Sequence, residues 1–108
     1  MAHAIDATFT ALADPTRRQV VELLRERPRR AGELAAAFPI SGPAMSRHLR
    51  VLRDSGLVEA RFVDEDARAR EYRLLPQRLG DLQAWLDQVQ AFWNEQLQAF
   101  RSHVEEGT

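Results

Sequence analysis

Residues 41–58 read Ser-Gly-Pro-Ala-Met-Ser-Arg-His-Leu-Arg-Val-Leu-Arg-Asp-Ser-Gly-Leu-Val, and no other stretch restricts the fold as tightly. Ser41 is a helix cap, Pro43 suits a first helical turn, and Gly56 is a left-handed stop leading into a strand. Between them Met45, Leu49 and Leu52 recur at i, i+4 and i+7, which is one apolar stripe on a helix. With that stripe inward, Pro43, Ala44, Ser46, Arg47 and Arg50 face outward. A helix built this way packs by one side and presents the other to the major groove of DNA.

The flanking segments supply the frame for such a helix. Ile5, Phe9 and Leu12 place a short helix over residues 3–13. Asp14 caps a second helix and Pro15 occupies its first position, where a missing N–H costs nothing. That helix runs to residue 26, buries Val20, Val21, Leu23 and Leu24, and ends before Pro28. A third helix spans residues 32–38 with Leu34 and Phe38 inward, and Pro39 turns the chain. Residues 57–63 and 70–74 read as two strands around a polar loop at 64–69. Tyr72 reads as core.

A last helix covers residues 77–104. Its Leu79, Leu82, Leu86, Val89, Trp93, Leu97, Phe100 and Val104 step by three or four, a nearly heptad seam along roughly 37 Å of helix. The expected fold is therefore mainly α with a small β-hairpin. It is an α-α-α-α-β-β-α winged helix-turn-helix in a single domain over 1–108, with helices 3–13 and 77–104 as dimerisation elements.

Charge is distributed unevenly. The net charge is only −1, yet residues 15–61 carry ten Arg against five acids, while residues 81–108 carry one Arg against five acids. A basic middle between acidic ends suggests one face for an anion and another for a different task. Every one of the fifteen basic residues is Arg. Its forked, permanently charged side chain suits phosphates and guanine edges. No cysteine is present, so disulfides and thiolate metal sites are excluded. The three histidines are scattered and no Ser/His/acid set is suggested by spacing, which argues against an enzyme. No apolar run reaches the roughly 18 residues of a membrane span and no signal peptide is expected, so the expected compartment is the cytoplasm.

The candidate DNA contacts follow from these placements. Ser41 lies at a helix N-terminus, where a hydroxyl and backbone N–H groups favour a phosphate. Arg47 and Arg50 are one turn apart and both reach outward, and Ala44 is small enough for close approach to a base. His48 sits at the edge of the apolar stripe, where it either packs internally or reaches DNA. Arg61, Arg68, Arg70 and Arg73 bracket the hairpin and are candidates for phosphate or minor-groove contact, Arg68 and Arg70 first among them. Asp64, Glu65 and Asp66 oppose this within the same loop. The cluster Arg25, Arg27, Arg29 and Arg30 reads either as a solvated run or as flanking phosphate contacts. Arg17 and Arg18 are expected to serve internal ion pairs.

Five segments together resemble the ArsR/SmtB family of bacterial winged-helix repressors: Ala11-Leu12-Ala13-Asp14-Pro15-Thr16-Arg17, Gly32-Glu33-Leu34-Ala35, Ser41 with Met45-Ser46-Arg47-His48-Leu49 and Leu52, Gly56-Leu57-Val58, and Tyr72-Arg73-Leu74. The resemblance implies a homodimer, joined through its first and last helices, that binds an inverted-repeat operator and represses transcription. Position 42, often a base-reading Gln in the family, is Gly42. The family's metal-sensing members carry paired ligands on the last helix. Here His103 and Glu106 match the second pair, while Gln90 and Phe92 stand where the first would fall. No metal and no cofactor are expected, and the resemblance points to the metal-independent members.

A dimer also follows from the residues alone. Ile5, Phe9 and Leu12 on the first helix, with Leu82, Leu86, Val89, Trp93, Leu97 and Phe100 on the last, offer more apolar surface than one small core can cover. Two-fold pairing would set the two recognition helices about 34–36 Å apart, one turn of DNA. The aromatic residues Trp85, Phe92, Trp93 and Phe100 fit a dimer core, or an organic effector pocket between the last helices. The expected partners are a double-stranded DNA operator and a second copy of the chain, with an effector of unknown identity as a further option. The competing reading is a winged-helix protein-interaction module without DNA binding.

Overall fold

Local signals in the chain start and stop nearly every helix of the computed structural model, which describes residues 4–63 and 69–107. The first helix, α1, spans Ala4–Leu12. Asp14 then adopts an extended conformation, its carboxylate accepts from Arg17 N at 3.1 Å, and α2 runs Pro15–Glu26. Arg27 and Pro28 break the helix, and Arg29–Arg30 form a two-residue strand, β1. A single-turn-and-a-half helix, α3, follows at Ala31–Ala36. Ser41 caps α4, Gly42–Asp54, by accepting from Ala44 N at 3.2 Å. Gly56 then takes φ +81 and turns the chain into β2, Val58–Phe62. The strand β3, Arg70–Leu74, leads directly into α5, Pro76–Glu106.

Two features differ from expectation. The sheet has three strands, in the order β1-β3-β2, because Arg29 and Arg30 pair with Tyr72 and Glu71. Two residues are too short to show an alternating pattern, so only the fold reveals that strand. The hairpin register itself runs Val58↔Leu74 through Phe62↔Arg70. The helix α3 ends at Ala36 rather than residue 38, and α5 extends to Glu106 rather than residue 104.

The core lies where α2, α3, α4 and the sheet meet. Val20, Leu24, Leu34, Met45, Leu49, Leu52, Leu57, Val58 and Tyr72 are buried there. Each large aliphatic side chain so removed from water contributes about 1.5–3 kcal/mol. The stripe on α4 is thus the floor of the domain, which orients the opposite face outward. Leu12, expected at the dimer seam, packs against this core, as does Leu79.

The helix α5 behaves differently. None of its residues is buried. Its first half rests on α1, with Phe9 and Trp85 packed edge to face at 5.3 Å. Its second half projects, giving the molecule extents of 73 × 29 × 25 Å. Among the described residues no helix is long and apolar enough to cross a membrane.

Candidate nucleic-acid interface

The outward face of α4 combines short side chains at its start with two arginines further along. Ser41, Gly42, Pro43, Ser46, Arg47 and Arg50 are exposed, and Ala44 is half-buried. Arg47 and Arg50 make no hydrogen bond or ion pair among the described residues. The first turn offers fewer backbone donors than an open helix end. Ala44 N donates to the Ser41 hydroxyl, Met45 N donates to Ser41 O at 3.0 Å, and Pro43 has no N–H. Ser41 therefore acts first as a cap.

The other arginines are largely engaged. Arg25 pairs with Glu22 at 3.0 Å, Arg27 with Glu33 at 2.8 Å and Arg29 with Glu26 at 2.8 Å. Three of the four arginines in the cluster read as solvated charge or phosphate contact thus pair with neighbouring acids, Arg25 and Arg27 at exposed positions. The hydrogen bond from Arg27 holds the Glu33 carboxyl below its usual range. On the sheet, Glu59 accepts from Arg61 at 2.8 Å and from Arg73. Partial desolvation works against the Glu59 anion, but the bonds from Arg73 and Arg61 outweigh it and the carboxyl titrates low. Arg70 has a different partner, with its guanidinium 5.3 Å over the Phe62 ring. Phe62 is 62% exposed at the end of β2. Arg68 and the acids at 64–66 lie outside the described residues.

His48 is not turned to the open face. Its Nδ1 lies 3.1 Å from Arg17 Nη1 and 3.9 Å from Asp14 Oδ1. Arg17 and Arg18, expected in ion pairs, instead donate to the carbonyls that end α1. Arg17 reaches Ala11 O and Thr10 O, and Arg18 reaches Leu12 O and Ala13 O. Those acceptors are backbone atoms, which charge pattern does not reveal.

Comparison with known proteins decides what this arrangement belongs to. Residues 14–60 match the family described as "Bacterial regulatory protein, arsR family". The HTH-type transcriptional regulator Rv2034 of Mycobacterium tuberculosis is 40% identical over 101 residues, 93% of this chain and 88% of that protein. The chain belongs to the ArsR/SmtB family. It is a DNA-binding transcriptional regulator. The transcriptional repressor SdpR of Bacillus subtilis is 40% identical over 50 residues, covering 46% of this chain and 56% of that one. An ArsR-like transcriptional regulator from Rhodococcus sp. RHA1 superposes with a TM-score of 0.84 at 31% identity, covering 95% of this chain and 92% of that chain.

The ArsR match at 14–60 runs from the cap of α2 into β2, so it contains the whole of α4 and leaves α1 and α5 outside. Within this ArsR domain, Gly42 stands at the exposed start of α4, and a Cβ there would meet nothing within 4 Å. The position has room for a longer side chain, and none is present to read a base. Among the described residues, no three of His, Cys, Asp or Glu converge to hold a metal ion. Two open grooves flank α1. One is lined by Ala7, Thr10, Val51, Asp54 and Ser55 with Asp6, the other by Ala4, Ile5, Asp6, Asp81 and Trp85.

The sequence reading missed the bond between Arg17 and His48, and the packing of Phe62 against Arg70. The signal for the second was available, since residues 62 and 70 face each other across any hairpin of this register.

Proposed function

We propose that the chain acts as a homodimeric repressor, with α4 of each copy in successive major grooves of an inverted-repeat operator. The observation that carries this reading is that Arg47 and Arg50 stay exposed and unpaired on α4 while most other arginines near the domain are neutralised or capped internally. Charge left uncompensated on one face is what a phosphate or guanine edge recruits. Pro43, Ala44 and Ser46 let the helix approach closely, and Arg70, steadied on Phe62, supplies a flanking contact. The whole chain works as one unit in the cytoplasm, with no catalytic step.

Dimerisation is supported by α5. Leu86, Trp93, Leu97 and Phe100 lie exposed along it, and Phe100 is 67% exposed. Together with Ile5 and Phe9 on α1, and the partly covered Leu82 and Val89, they form a continuous apolar face that a second copy would cover.

The test is a gel-shift titration of the full chain on a duplex carrying its own promoter region, across a salt series. A dimer making about 6–10 phosphate contacts loses about 10³–10⁵ in affinity between 50 and 200 mM salt. A flat salt response, or a shift produced by the monomer, overturns the reading.

A further inference from the structure

The N-terminal half of α4 is held by more than its apolar stripe. Arg17, in the first turn of α2, reaches two neighbouring elements at once. Its Nε donates to Ala11 O at 2.7 Å and its Nη2 to Thr10 O at 3.1 Å, both carbonyls in the last turn of α1, the second of which also accepts from Ala13 N at 3.3 Å. Its Nη1 meets His48 Nδ1 on α4 at 3.1 Å. A guanidinium has no acceptor, so Nδ1 must accept, and the ring proton of neutral His48 sits on Nε2. Asp14 fixes the root of this arrangement, because its carboxylate holds Arg17 N at 3.1 Å. Asp14, Arg17 and His48 are all partly buried.

We propose that Arg17 is a strut through which α1 sets the angle of α4, and that His48 is a positioning residue for DNA reading rather than a DNA contact. The inference rests on the dimeric, DNA-binding reading above. Three of the guanidinium's nitrogens are committed to three acceptors on two helices. A planar fork with its directions fixed cannot follow one helix without straining its bonds to the other. The side chain of His48 lies next in sequence to Arg47 and two residues before Arg50, so a small rotation of α4 at His48 misplaces both. The same α1 packs Phe9 against Trp85 of α5, so a change in how two copies meet reaches α4 through Arg17. The apolar stripe sets which face of α4 points inward, and the bonds of Arg17 fix its fine setting at His48.

The experiment uses the full chain and a duplex of its own promoter region, with size-exclusion chromatography and thermal melting as controls. His48→Gln keeps an acceptor toward Arg17 and is expected to bind within about threefold of the parent. His48→Phe keeps the volume and loses the acceptor, and is expected to weaken binding by about tenfold, with an unchanged dimer and an unchanged salt slope. Arg17→Lys is expected to weaken binding to a similar degree. The double variant Arg17→Lys/His48→Phe should lose no more than the worse single one, since both cut one link. Nitrogen NMR of the free parent should show the Nε2–H tautomer of His48.

A His48→Phe protein that binds as tightly as a binding-competent parent overturns the strut alone. Equal losses in His48→Gln and His48→Phe with a salt slope reduced by about 1 make His48 a phosphate contact and also overturn it. If the His48 variants fail to fold, an Nδ1–H tautomer in the parent is sufficient to overturn it. A parent that dimerises but never shifts the promoter duplex sinks the repressor reading first, and the strut's role in DNA reading falls with it.

Discussion

Gly56 holds φ +81, and a Cβ at this position would lie 3.0 Å from Arg78 Nε. The backbone selects glycine there, and a Cβ would also push the flexible Arg78 side chain aside, whereas Gly42 sits in open space with no such φ. Gly56→Ala should therefore cost about 1–2 kcal/mol, read as a lower denaturant midpoint with an unchanged slope. Asp14 illustrates a charge with a structural duty. Desolvation raises its carboxyl, but the Arg17 N–H, the Arg17 guanidinium and the Thr16 N–H outweigh that, so it titrates below the usual aspartate range. A lowered folded-state value stabilises above the unfolded value and is lost as pH falls through the folded one. Asp14→Asn keeps a capping oxygen without the charge. Its deficit relative to the parent should be present at neutral pH and shrink as the acid limb is entered, in melts recorded as a function of pH. Asp14→Ala loses the cap as well and should cost about 1 kcal/mol at neutral pH.

Among the elements, α4 divides its labour by face. Met45, Leu49 and Leu52 are buried and hold the domain together, while Arg47 and Arg50 are exposed and hold nothing in it. Arg47→Ala should leave the dimer and the melting temperature unchanged and remove about 1–3 kcal/mol of discrimination between operator and unrelated DNA. Competition gel shifts check this, and retained preference would show that another residue reads the bases. Most of α4 was legible beforehand, because caps and stripes act within a few residues of chain. The wing was legible as a hairpin, and its register matched Tyr72 to the core. The strand β1 was not, since a two-residue strand exists only through its pairing with Tyr72 and Glu71. The acidic partners that neutralise Arg27, Arg29, Arg61 and Arg73 were not assigned either, because composition counts charges without saying which ones meet.

For the whole molecule, the decisive contrast lies between a small closed core and a long open helix. The 31 residues of α5 span about 46 Å, and its outer half carries exposed apolar side chains, Leu97 at 55% and Phe100 at 67%. Phe100→Glu or Leu97→Glu should therefore leave helical content and the melting of the domain core nearly intact while converting the dimer to monomer. Analytical ultracentrifugation reads the mass, and operator affinity should fall with it. A variant that stays dimeric would move the interface away from the outer half of α5.

Short-range physics wrote the order of elements into the chain. Asp14, Ser41 and Gly56 each act on backbone groups within a turn, and apolar spacing reports which side of a helix faces in. The family likeness was readable for the same reason, since its motifs are those caps and stripes. What the chain could not disclose were contacts between groups far apart along it. Arg17 and His48 are separated by 31 positions, and Glu59 and Arg73 by 14. Whether an arginine is spent on a carbonyl, a carboxylate or a ring, or left free for DNA, depends on distances of a few ångströms that exist only after the helices have packed.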